Sequence, residues 1–155
     1  MTESLPSANA ARGKANRMRG EIAQMIIQRR LQALGVLMLE PVHTPWRLRR
    51  VGCRIVGATP LAKVSGDFRG IAPGGAGRSI LVEVKFRPDR LTFSDLEPHQ
   101  RLALDRNMAA GGLSYLAWVW DGGDALLAWP IPGFLPRTSV SVERAKALNV
   151  VAIPR

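Results

Sequence analysis

Acidic residues are scarce in this chain. Twelve Asp and Glu stand against 22 Lys and Arg, leaving a formal net charge of +10 over 155 residues. Such a surplus draws polyanions, and nucleic acid is the commonest large one. Cysteine is nearly absent: Cys53 alone excludes an internal disulfide, fits a reducing cytoplasm, and lacks the His and Asp setting of a nucleophile. Of the two histidines, His43 falls in a loop and carries no signal, and His99 reads as structural. No apolar run of the signal-peptide kind opens the chain, and the longest apolar stretches, such as 113–120, are far too short to cross a bilayer. Internal repeats and heptads are missing as well. These absences point to a cytoplasmic chain.

What is present fits one domain with a real core: 46% of the residues are hydrophobic. The positive charge is concentrated, with ten Lys and Arg between Arg12 and Arg54 against only Glu21 and Glu40. Residues 1–15 are small, polar and basic, and read as a flexible arm before a single domain over 16–155. Asn16 is placed to cap a helix running to about Leu34, with Met18, Ile22, Met25, Ile26 and Leu31 at helical spacing. Val36–Leu39 reads as a short buried strand. Residues 46–57 alternate arginine with apolar residues and predict extended chain with a bend at Gly52. A helix is expected from about Leu96 to Ala110, capped by Ser94 or Asp95, with Leu102, Leu104 and Met108 inward. Residues 113–120 predict a central strand, 125–129 another, and 141–148 a short helix. Trp118, Trp120 and Trp129 fall in or beside apolar strands and read as core; Trp46 belongs to the basic stretch. The order is that of a mixed α/β domain around one sheet.

Residues 66–86, GDFRGIAPGGAGRSILVEVKF, carry the chemistry. A hairpin turning near Gly75 pairs Ile71 with Ser79 and sets Asp67 opposite Glu83. Directly opposed side chains lie about 4.5–5.5 Å apart at Cβ, so the two carboxylates repel unless a cation sits between them. Alternation puts Lys85 on the same face as Glu83, while Phe68, Val82, Val84 and Phe86 face a core. Asp, Glu and Lys on one face suit a hard divalent cation such as Mg²⁺, with a positive group beside a phosphate.

Asp67 followed by Glu83-x-Lys85 resembles the PD-(D/E)xK nuclease signature, with Gly66 in place of its proline. NRMRGE at 16–21, Asp67-Phe68-Arg69-Gly70, His99-Gln100 and Gly111-Gly112 follow the order seen in RecU-type Holliday junction resolvases. The resemblance spans about residues 16–120. It implies a restriction-endonuclease-like core, a mixed central sheet flanked by helices, and Mg²⁺-dependent cutting of branched DNA, with Mn²⁺ as a substitute. Asp67 and Glu83 would bind the metal, with the Val84 carbonyl as a further ligand. Lys85 and Gln100 would complete the catalytic set, and Glu21 would hold a water on the metal. Segment 44–65 stands where that family has a DNA-contacting projection and carries Arg47, Arg49, Arg50, Arg54 and Lys63. Arg17, Arg19, Arg69 and Arg87 are the other candidate DNA contacts.

Each residue also has a plainer reading. Glu83 and Lys85 would serve as an exposed ion pair, Gln100 as a solvent-facing helix residue, and Glu21 as a complement to its helix dipole. The arginines of the first helix would then be an ordinary solvated face. The competing functions are another PD-(D/E)xK repair, flap or restriction nuclease, and a basic DNA-binding protein without catalysis. Paired carboxylates weigh against the last, because without metal they repel DNA. Two matched nicks in a two-fold symmetric junction imply a homodimer, with apolar residues of the first helix or of 124–135 as its surface.

Overall fold

The computed structural model describes residues 8–43, 46–60, 66–74 and 77–154. Its frame is a five-stranded sheet in the order β1, β4, β5, β7, β8. These strands are β1 (Leu37–Pro41), β4 (Phe68–Ile71), β5 (Ser79–Phe86), β7 (Leu113–Trp120) and β8 (Gly123–Ala128). All neighbours run antiparallel except β5 and β7. That parallel pair needs a crossover, supplied by helix α2 (Pro98–Ala109). β5 and β7 lie at the centre with apolar side chains on both faces, as the unbroken run at 113–120 predicts.

Each face of the sheet has its own core. On one, helix α1 (Ala8–Ala33) packs Ala23, Ile27 and Leu31 against Phe68, Ile80, Val82, Val84 and Tyr115. On the other, Leu81, Leu116, Trp118 and Leu127 meet Leu104 of α2 and Ala145 of α3 (Val142–Leu148). Trp120 and Trp129 are buried there too, while the side chain of Trp46 lies outside the described residues. A short antiparallel pair, β6 (Arg90–Thr92) with β9 (Ser139–Ser141), closes that core at its rim through Leu91 and Val140. Full burial of one such aliphatic side chain contributes about 1.5–3 kcal/mol.

Three expectations are corrected. Helix α1 starts at Ala8, eight residues before Asn16. The stretch ANAARGKA is rich in strong helix formers and continues the helix instead of preceding it. Of the expected flexible arm, residues 8–15 are helical and 1–7 lie outside the described residues. The buried stripe of α1 also differs. Met18, Ile22, Met25 and Ile26 are exposed, and the core takes Ala23, Ile27 and Leu31. At 100° per residue Ile22 and Ile27 are about 140° apart, so the helix carries two apolar stripes and the slimmer one meets the sheet. Finally, β1 is an edge strand with Leu37 and Met38 exposed, and only the preceding Val36 is buried. Met38 takes φ 48° at an irregularity in the β1–β4 register, which turns this edge away from a regular ladder.

The start of α2 shifts as well. Phe93–Asp95 form a single 3-10 turn, Glu97 is the residue before the helix, and Leu102 and Met108 face solvent. The extended chain at 46–57 is a hairpin of its own, β2 (Trp46–Val51) against β3 (Arg54–Pro60), turning at Gly52 with φ 60°. Residues 47–59 are exposed throughout.

The chain ends are tied together. Arg30, near the end of α1, pairs with Asp124 and donates to Asn149 Oδ1 at 2.6 Å and to the Val150 carbonyl at 3.0 Å. Asn149 Oδ1 also accepts from the Leu126 amide, and the Val150 amide donates to Leu126, which covers the outer edge of β8. Among the described residues no helix is long and apolar enough to cross a membrane.

Candidate active site

The β4–β5 register brings the sequence-predicted carboxylates together. Phe68 faces Val82 and Ile71 faces Ser79, and just beyond this ladder the Asp67 amide donates to the Val82 carbonyl at 2.7 Å, which brings Asp67 close to Glu83. Gly66 makes the approach possible. Its φ of 85° favours glycine, and a Cβ there would strike the Leu81 side chain. Its amide donates to Glu83 Oε2 at 3.1 Å. Proline, the residue of the family signature, has no N–H to give. The departure from the motif thus supplies a hydrogen bond that the motif's usual residue would not.

Asp67 is held from two sides. The Val84 amide donates to its Oδ2 at 2.7 Å, and Gln24 Nε2 of α1 to its Oδ1 at 2.6 Å. Burial pushes its carboxyl above the ordinary aspartate value, against the Val84 amide, Lys85 and Gln24, which favour the ionised form. Glu83 is only 3% exposed. Burial first, and then the neighbouring Asp67 charge, push its carboxyl up to about 7. Lys85 Nζ lies 3.0 Å from Glu83 Oε1 and donates to Gln100 Oε1 at 2.9 Å. Gln100 donates in turn to Glu83 Oε1, and its Oε1 accepts the Glu97 amide at 2.9 Å at the start of α2. Glu83, Lys85 and Gln100 are thus linked side chain to side chain, Asp67 stands close enough for its charge to act on Glu83, and Gln100 is not a solvent-facing helix residue. Gln100 of α2 reaches Glu83 and Lys85 while Gln24 of α1 reaches Asp67, so both helices contribute to the site.

Glu21 is exposed, one turn earlier on α1 than Gln24, and it is Gln24 that touches the carboxylate pair. Gln24 escaped the sequence reading. Its signal was a polar residue directly beside Ala23, legible only once Ala23, Ile27 and Leu31 are recognised as the buried stripe. Among the described residues no group of three or more His, Cys, Asp or Glu converges. Two carboxylates with no thiolate or imidazole still fit a hard cation such as Mg²⁺, which takes one or two carboxylates and keeps several waters. Their mutual repulsion is the observation that such a cation would relieve.

The candidate DNA-contacting residues spread around this cluster. Arg17 and Arg19 are exposed on α1, with the Arg19 guanidinium 5.7 Å from the centre of the Phe86 ring. Arg69 is exposed on β4, two residues from Asp67 and on its face. Arg87 is exposed but bound to Asp95 at 2.6 Å. On the hairpin, the register with its bulge at Val56 puts Arg47, Arg49 and Arg54 on one face, and Arg50 with Leu48 and Ile55 on the other. Lys63 lies outside the described residues.

No family model matches the chain, and no curated protein does. Among solved structures it is similar to Hjc, a Holliday junction resolvase from the archaeal hyperthermophile Archaeoglobus fulgidus, at a TM-score of 0.55. The match covers 86% of this chain and 97% of that one, at 17% sequence identity. The fold is restriction-endonuclease-like. Its mixed central sheet flanked by helices is the class expected from the sequence, and at this identity the likeness is one of fold.

Proposed function

We propose that this chain is a divalent-metal-dependent, structure-specific DNA endonuclease that acts as a homodimer on Holliday junctions. One observation carries the reading: a buried Glu83 and a half-buried Asp67 close enough for the Asp67 charge to act on Glu83, with Lys85 and Gln100 locked beside Glu83. A fold shared with a Holliday junction resolvase and a net charge of +10 support the substrate.

Asp67 and Glu83 would hold the metal, with the Val84 carbonyl as a further ligand. When bound, Mg²⁺ supplies charge stabilisation at phosphoryl oxygens and a more acidic water as nucleophile. The chain's own residues do the rest. Lys85 Nζ, fixed between Glu83 Oε1 and Gln100 Oε1, is a pre-aimed donor for a phosphoryl oxygen on which charge develops. Gln100 keeps that ammonium and Glu83 in place together. Gln24 and the Val84 amide fix the Asp67 carboxylate, and the Gly66 amide fixes that of Glu83. Such positioning shortens the search for a productive geometry.

The test is incubation with Mg²⁺ against junction, flap, single-stranded and linear duplex DNA, using wild type and Glu83→Gln. Wild type is expected to cut the junction preferentially. Glu83→Gln should lose cleavage while binding as well or more tightly, since a negative charge near phosphates is gone. Full cutting by Glu83→Gln would sink the assignment.

A further inference from the structure

Beside the carboxylate pair lies a cleft that the reaction as described leaves unused. Its volume is about 790 Å³, within the range of about 300–1,000 Å³ in which ligand pockets fall. It opens between the β4–β5 pair and α2. Leu81, Leu102 and Ala103 give it an apolar floor, and Arg69, Arg106 and His99 a basic rim. No carboxylate is among its lining residues. Both arginines are exposed, and neither guanidinium has a hydrogen-bond or ion-pair partner among the described residues. Two unneutralised guanidiniums from different elements, facing one cleft over an apolar floor, match a phosphate joined to an apolar sugar face or base.

The position is set by register. Arg69 pairs with Leu81 across the strands, and Asp67 and Glu83 each lie two residues away along the chain, towards the same end of the ladder. Two residues of strand span about 6.8 Å, and one nucleotide of a DNA strand advances about 3.4 Å along the axis but further through space, because the backbone winds around that axis. The cleft therefore begins about one to two nucleotide steps from the carboxylates. Along α2, Arg106 follows Gln100 by six residues, or about 9 Å, so the helix runs from the carboxylate cluster to the far end of the cleft.

We infer that this cleft is a nucleotide subsite for the strand being cut. Arg69 and Arg106 hold one non-scissile phosphate about one to two nucleotides from the scissile one, and Leu81 and Leu102 receive the adjoining sugar or base. The inference rests on the DNA-cutting reading above, and extends it from the reacting phosphate to the register of the strand.

Phosphate neutralisation tests it. Methylphosphonate is placed at one position at a time through a four-way junction, and binding is measured in EDTA with wild type and with Arg69→Ala/Arg106→Ala. In wild type, one position per bound strand should weaken binding about ten-fold, the scale of a lost charge-assisted contact. In the double variant that position should have no further effect, and the slope of log affinity against log salt should fall by about one. Equal loss in both proteins at every position overturns the subsite. So does a double variant that binds DNA as wild type does but changes its sedimentation, which would make the cleft a contact between copies. The readout needs no cleavage: a cleft signal without cutting by any metal would leave the subsite and remove the nuclease. Cutting without a cleft signal would do the reverse.

Discussion

Glu83 carries a carboxyl pushed to about 7 in a place where burial and Asp67 both oppose its charge. The consequence for stability has a definite sign. An acid whose folded value is raised stabilises the fold below its unfolded value, near 4.5, and loses that contribution as pH rises through about 7. At most about 3 kcal/mol is at stake, from 1.36 kcal/mol per unit. On the proposed reading, Mg²⁺ would bind the ionised pair and restore what ionisation removes. Thermal unfolding with EDTA and with Mg²⁺, at pH 5.5 and pH 8, should therefore show a larger metal-induced rise in Tm at pH 8. At roughly 2–4 °C per kcal/mol for a chain of this size, the difference is several degrees. Equal rises at both pH values would mean that the metal is not held by this pair.

At the level of elements, the hairpin of β2 and β3 separates its charges by face. Arg47, Arg49 and Arg54 share one side, and Arg50 stands with Leu48 and Ile55 on the other. If the hairpin enters a branched substrate, replacing Arg47, Arg49 and Arg54 together by alanine should weaken junction binding more than linear duplex binding. Arg50→Ala should cost less on both. Gel-shift titrations on the two substrates decide it, and equal losses on both DNAs would make the hairpin a plain phosphate-contacting surface. How much of these elements the sequence shows depends on how different their two sides are. β5 is legible because Glu83 and Lys85 break an otherwise apolar run at every second position, which fixes the register of β4 as well. Helix α1 is not, because Met18, Ile22 and Met25 make a more conspicuous stripe than Ala23, Ile27 and Leu31. Choosing the wrong stripe hid Gln24; Glu21 came from the resemblance alone. The Gly66 amide was out of reach for another reason: main-chain donors are the same at every residue, and only the turn geometry aims this one at Glu83.

For the molecule as a whole, the proposed reading gives one carboxylate pair, and so one cut, per chain. Resolving a junction by two matched nicks then needs two chains related by a two-fold axis. Differently tagged wild-type and Glu83→Gln subunits, mixed and purified as pairs, should nick one strand of a junction and leave the opposed strand whole. Complete resolution by the mixed pair would show that one site serves both strands.

The tie made by Arg30 reaches from the first helix to Asp124, Asn149 and Val150. Its consequence is one of timing. A ribosome adds about 5–20 residues per second, so α1 waits several seconds for the last of these partners to be made. Until then only the packing of Ala23, Ile27 and Leu31 holds the helix to the sheet, and Gln24, two turns earlier than Arg30, is seated beside Asp67 without that tie. On the proposed reading, the carboxylate cluster gains this support only once residues 124–150 are made, so a half-made chain, rich in positive charge, meets nucleic acid before the site is complete.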